Sequence, residues 1–491
     1  MTYGDAGGAK RIRRHIPVIP AKAGIQIWSF RDDLMNLRNL PKFLLGQFLL
    51  LLILSLHSTT FAQGYRGHDF WICFPQNAIF EDGKTLQQSL YITAESRASG
   101  VIENIADSST KPFSIEAGAS TSVDIDTLIE ITSSGRLEKK SVHITSDNDI
   151  TVYVVSHRSA STDSYAAIPT PMLGTEYVVA GYSAHARDGT VFTSQADIIA
   201  TEDNTLVTVH LTAATRDSLP EGRTISLFMD RGQTLQFQGT YQNERSDLTG
   251  TLVTSSKPIA FFTGHSCAQV PANVQYCDML LEMEPPVKDW GTSFIVPALA
   301  GKGYSVIRVI ADYDSTEVLV NGARATLLMR SGYYEIDTLH YDAVIQTSKP
   351  ALVAQYATSS EADNLKVGDP FMLFVIPNDR LIREVTTASV TEGPFRHYLN
   401  IVVSDTGLAT LTLDDVLTTF GKYPNQISLV SKRKVSSFPK AAGYSILTFQ
   451  VPSGRHQVRC AAPVAVYSYG FGLYNNAYDS YGHACGERLD R

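Results

Sequence analysis

Helix signals are almost missing from this chain. Short runs rich in Val, Ile, Thr and Tyr alternate with polar residues, and Gly, Asn and Asp turns separate them, which is the pattern of strands. Positive charge is in the minority, with 41 Lys and Arg against 49 Asp and Glu. That balance argues against nucleic acid or an anionic membrane as partner, because both select for basic surface. Histidine pairs at metal-ligand spacing are absent: the ten histidines from His68 to His483 include no His-x-x-x-His and no His-Glu-x-x-His, so no zinc site is expected. A bilayer-spanning run is missing too. The apolar stretch Phe43 to Leu56 is 14 residues long and is interrupted by Gly46 and Gln47.

That stretch does suit a secretory signal. Residues 35–62 carry basic Arg38 and Lys42, then the apolar core, then Thr60-Phe-Ala62 before Gln63. Residues 1–34 read as a mis-assigned upstream segment: Pro17-Val-Ile-Pro-Ala-Lys-Ala-Gly-Ile-Gln26 resembles translated interspersed repeat DNA of bacteria, and translation is expected to start at Met35. Cleavage after Ala62 would remove 8 basic and 3 acidic residues and leave 33 against 46, a net charge of −13. Such a charge favours solubility. The expected location is secreted or cell-surface, with no transmembrane helix in the mature chain.

What is present is repetition. Ser255-Ser-Lys-Pro-Ile-Ala-Phe-Phe-Thr-Gly-His-Ser266 has close variants in Thr347-Ser-Lys-Pro-Ala-Leu-Val-Ala-Gln-Tyr-Ala-Thr358 and, more loosely, Cys460-Ala-Ala-Pro-Val-Ala-Val-Tyr-Ser-Tyr469. Thr145-Ser-Asp-Asn-Asp-Ile-Thr-Val-Tyr-Val-Val-Ser156 is a copy without the proline. Each reads as a polar turn opening a strand. From Ile150 through Pro258 and Pro350 to Pro463 the spacings are 108, 92 and 113 residues, which is module length. Tandem β-sandwich-like modules, about four, are the expected architecture; fewer, larger interlocked sandwiches or a propeller-like ring are the alternatives. The expected modules are 63–165, 166–283, 284–375 and 376–491, the last with a C-terminal tail. Chains built this way present surfaces more often than they house one catalytic pocket.

Few residues carry chemistry. Cys267 and Cys277 flank a nine-residue loop and are the favoured disulfide in an oxidising compartment; Cys460 with Cys485 is the second expected pair, leaving Cys73 as a buried thiol. Ser266 in Gly264-His-Ser-Cys-Ala268 follows a strand as an elbow nucleophile would. The helix that supplies oxyanion donors is replaced by Gln269-Val-Pro-Ala-Asn-Val, so no catalytic residue is assigned. Acidic turns at Asp124-Ile-Asp126, Asp147-Asn148-Asp149, Glu202-Asp203-Asn204 and Asp312-Tyr-Asp314 offer two or three oxygens each, short of the six to eight calcium takes. Structural calcium stands there beside plain turn chemistry, and no other cofactor is implied. In the C-terminal run from Tyr467 to Gly482, the alternation of Tyr467, Tyr469 and Phe471 fits one face of a strand.

Several of these segments resemble one family in order: Gly67-His-Asp-Phe-Trp-Ile-Cys-Phe-Pro-Gln-Asn77, then Val152 to Asp163 with Pro169-Thr-Pro-Met-Leu-Gly-Thr-Glu-Tyr177, then Ser256 to Pro271, Trp290-Gly-Thr-Ser-Phe-Ile-Val-Pro297 and Asp369-Pro-Phe-Met-Leu373. The chain is thereby similar to the IgG Fc-binding protein N-terminal domain family. The resemblance implies a non-enzymatic secreted or surface protein, used for adhesion, whose partner is an extracellular glycoprotein, glycan or matrix component. Binding of IgG Fc itself is not carried over with it. A structural envelope component and an extracellular hydrolase acting through Ser266 are the other classes.

Overall fold

In a computed structural model, residues 64–490 are described apart from 79–84, 159, 244–245, 392, 422, 424–425, 436–442 and 475–476. The expected upstream and signal segments lie outside the described residues. Residues 62–491 fall in one compact unit. The protein is all-β, in curled antiparallel sheets of the sandwich-like kind. Among the described residues these are sheets of seven, eight, seven and eight strands, plus the small hairpin of His185–Arg187 with Thr190–Phe192. In chain order we call them the first to fourth sheets.

Each sheet is built on one long strand: Ser141–Arg158, Leu252–Ala268, Ala343–Ala357 and Gly454–Tyr474. The recurrent polar turns do not open these strands, as the sequence suggested; they interrupt them midway. Against Gly67 and Asp69 the long strand jumps from Ile150 to Thr145, and the neighbours of the other three jump alike, from Ile259 to Thr254, from Ala351 to Gln346 and from Val464 to Arg459. Four residues are thus looped out of register at the same place in every sheet, an enlarged β-bulge. Proline suits it because the looped-out residues owe no N–H to the ladder. Beyond the bulge, burial becomes continuous, as in Ile259 to Ala268, because that half of the strand is covered on both faces. Its run Ile-Ala-Phe-Phe therefore lacks alternation.

A short inner strand follows each long one: Ser161–Ala166, Asp278–Met283, Met372–Phe374 and Ala477–Ala484. The first packs on the second and fourth, and the third also packs on the second and fourth, so the four sheets meet in a closed ring. Leu137–Glu138 adds to the edge of the second sheet by pairing with Thr234–Leu235, although it precedes the long strand of the first. None of the helices among the described residues is long and apolar enough to cross a membrane, a statement that does not bear on β-barrels.

Candidate functional site

The centre of the ring holds an aspartate from each repeat. Asp163, Asp278 and Asp479 lie in inner strands and Asp369 three residues before one, and all four are buried. Asp163 ties the ring together. Its Oδ1 accepts from the N–H groups of Ser164 and Gly482 at 2.8 and 3.1 Å, and its Oδ2 from Leu281 and Met372 at 2.9 and 3.3 Å. One carboxylate therefore pairs with backbone of all four sheets. Burial drives the Asp163 carboxyl upward against four N–H donors that each favour its charged form. Asp278 and Asp479 are pushed well up, first by burial and, for Asp278, next by the Asp479 charge. Asp479 accepts from Ser480 N at 2.9 Å and Thr162 Oγ1 at 3.0 Å. These centres are sealed; they organise the ring and offer no opening to a ligand.

An opening exists at the bulge of the first sheet. A cleft of about 250 Å3 is lined by Arg66, His68, Glu95, Asn148, Asp149 and Thr151, together with Thr93 and Ser96. The bulge brings these together: Gly67 and Asp69 hold the ladder on either side of His68, while Asn148 and Asp149 are looped out opposite. His68 Nε2 lies 2.8 Å from Asp149 Oδ1. Glu95 faces the fourth sheet and accepts from Arg455 at 2.7 Å and Gln457 at 2.6 Å, and also from Thr386. Against its partial burial, the hydrogen bonds from Thr386 and Arg455 hold the Glu95 carboxyl below its ordinary range. Arg66 pairs with Glu384 at 3.3 Å. The cleft is polar and its charges are internally compensated.

The residues singled out in the sequence are dispersed. Cys267 and Cys277 form a disulfide with Cα atoms 5.1 Å apart. The expected Cys460–Cys485 bond is corrected: both thiols are free and buried, Cys460 Sγ against Gly407 O and Cys485 Sγ against Thr387 Oγ1, each at 3.3 Å. Cys485 docks on Val466, six residues along the long strand from Cys460. Cys460 lies within the bulge and Val466 beyond it, and the two sulfurs face different partners. Cys73 is also a buried free thiol, its pKa raised by burial. Ser266 sits at the inner end of a long strand, where its Oγ accepts from Thr193 N at 3.3 Å; the neighbouring His265 Nδ1 accepts from Cys267 N. The geometry therefore pairs Ser266 with backbone. The acidic turns bind protein donors: Asp312 pairs with Arg330 at 3.0 Å, and Asp203, Asp314 and Asp147 accept from the N–H groups of Arg231, Arg330 and Ser99. Among the described residues no group of three or more His, Cys, Asp or Glu side chains is arranged to hold a metal ion. Tyr467 and Tyr469 are buried, with their hydroxyls accepting from Ile376 N and Ala300 N, so this part of the tyrosine run packs inward.

Residues 163–470 match the family model described as IgGFc binding protein, which covers more than half of the chain. The chain belongs to that family. A human relative named IgGFc-binding protein is 27% identical over 258 residues, 52% of this chain. The chain spans about 4% of the length of that human protein. The match begins at Asp163, the residue that ties the ring, and takes in Asp278 and Asp369 but not Asp479. The match thus takes in the second and third sheets and most of the fourth, while the first sheet up to Arg158, with Arg66, His68, Glu95, Asn148 and Asp149 of the cleft, precedes it.

Proposed function

We propose that this member of the IgGFc-binding family is a non-enzymatic binding module, secreted or displayed at the cell surface, that recognises an extracellular glycoprotein, glycan or matrix component. The observation that carries the reading is the open polar cleft on a closed ring: it offers donors and acceptors to a ligand, while Ser266 Oγ is held by a backbone N–H. Net acidic charge suits an exported soluble surface.

The test is a binding screen of the purified protein against glycans, mucin, matrix proteins and IgG Fc. Saturable binding to one class is the expected result. Absence of binding on every panel, together with self-assembly of the protein into sheets or fibres, would replace the binding module by an envelope component.

A further inference from the structure

The four bulges occupy equivalent places but are not chemically equivalent. In the second and third sheets the looped-out residues end in Lys-Pro. Lys257 Nζ reaches the carbonyl of Asp203 at 2.6 Å, and Lys349 Nζ that of Asp314 at 2.5 Å, so each lysine closes its bulge onto a hairpin turn. Ser256 and Ser348 add a second tie by accepting from Leu206 N and Glu317 N, both at 2.9 Å. In the first sheet the positions of Lys and Pro are Asn148 and Asp149. The shorter Asn148 amide reaches only Arg97 O at 3.0 Å, and Asp149 turns to His68. The lysine tie of the second and third sheets is thus missing beside the cleft; the fourth bulge, Cys460-Ala-Ala-Pro463, has no lysine either.

The lining decides what fits. An anionic ligand would reach Arg66 and His68 beside the carboxylates of Glu384, Asp149 and Glu95, and a cation would reach those carboxylates beside Arg66 and Arg455. An apolar ligand would strip water from polar groups without replacing their hydrogen bonds, at roughly 1–3 kcal/mol for each group left unsatisfied. A vicinal diol has neither defect. Each hydroxyl both donates and accepts, so it can meet the Asn148 amide and the Asp149 carboxylate at the cleft wall without bringing a charge. We infer that this cleft binds a neutral saccharide unit, presented by a glycoprotein or a polysaccharide. The inference rests on the binding-module reading and names its site and ligand class.

The experiment rebuilds the closed bulge. Asn148→Lys with Asp149→Pro gives the first bulge the Lys-Pro pair of the second and third, and its binding is compared with the unaltered protein on an array of neutral and acidic saccharides. The expected result is binding of a neutral saccharide by the unaltered protein, with at least about a tenfold loss in the double variant at an unchanged thermal midpoint; tenfold corresponds to the loss of one or two polar contacts. Should the double variant fail to fold, Asn148→Ala at its exposed position is expected to lose affinity severalfold. Full affinity in a folded double variant, or in Asn148→Ala, would overturn the assignment of the site. Binding to acidic saccharides alone, or to proteins and no glycan, would overturn the ligand class and leave the binding-module reading standing. Absence of all binding would overturn both.

Discussion

The junction between the second and third sheets and the junction between the fourth and first are both fastened by an arginine, under opposite conditions. Arg308 is 1% exposed; its Nη1 donates to Asp247 at 2.5 Å, to Gly181 O at 2.9 Å and to Thr249 Oγ1 at 3.0 Å. Its guanidinium also lies over the rings of Tyr182 and Tyr333, at 4.4 and 4.5 Å. Arg455 makes its contact with Glu95 at the wall of an open cleft. Two more arginines serve the remaining junctions, Arg231 over Trp71 at 4.8 Å and Arg433 with Asp342 at 2.7 Å. A planar guanidinium with five donors can span two backbones and stack on aromatics at once, which explains its recurrence. The sealed junction fixes geometry. The wet one leaves polar groups for a ligand.

The largest break in this comparison comes from the ring centre that both junctions share. Asp163→Ala removes the acceptor of four backbone N–H groups in a buried site, and at roughly 1–3 kcal/mol for each donor left unpaired, no cooperatively folded protein is expected. Loss of the thermal transition checks this, and a variant that melts as the unaltered protein does would show that the ring closes without Asp163. Next, Arg308→Met leaves Asp247 buried and unpaired, which should cost about 3–5 kcal/mol in denaturant unfolding. Combining it with Asp247→Leu should recover part of the loss, since the buried carboxylate is then gone and only the partly exposed Glu335 is left without its arginine.

A pH series sharpens the contrast. Where the C-terminal tail meets the start of the first sheet, Tyr65 donates to Glu487 at 3.4 Å, and burial, then the Asp289 charge, push the Glu487 carboxyl up to about 8. The folded protein keeps that proton while the unfolded chain loses it near the ordinary value of 4.5. The stability contribution is therefore complete below 4.5 and is lost progressively until pH passes about 8. The thermal midpoint should fall across that window, and Glu487→Gln should flatten the fall. The smallest effect belongs to the wet junction. Glu95→Gln should cost about 1–2 kcal/mol, because the pair keeps partial exposure at 18% and 24% and the amide keeps part of the hydrogen bonding. A loss as large as that of Arg308→Met would erase the distinction between the two junctions.

Much of the scaffold was legible along the chain. The four polar turns recur because a bulge requires residues that tolerate turn geometry and owe no ladder hydrogen bond, and those requirements are local. Their place in mid-strand was not legible, since a polar turn before an apolar run looks the same whether or not a strand precedes it. The Cys267–Cys277 bridge followed from a short loop; the Cys460 and Cys485 pairing failed because separation in sequence does not reveal how far along a strand the second cysteine docks. The cleft residues were partly visible: Asp147-Asn148-Asp149 stood out as an acidic turn, but His68, Arg66 and Glu95 carried no signal of proximity to it.

The sequence by itself determined an all-β chain, four repeated turns and one disulfide, because strand alternation, turn chemistry and short-loop closure act over a few residues. Only the tertiary structure decided that four otherwise ordinary aspartates meet at one centre, that Arg308 is sealed while the Arg455–Glu95 contact borders a cleft, and that the first bulge carries an open polar cleft. The N–H partners of Asp163 lie 118, 209 and 319 residues away in the other three sheets. Their meeting is fixed by closure of the ring, which no local pattern encodes.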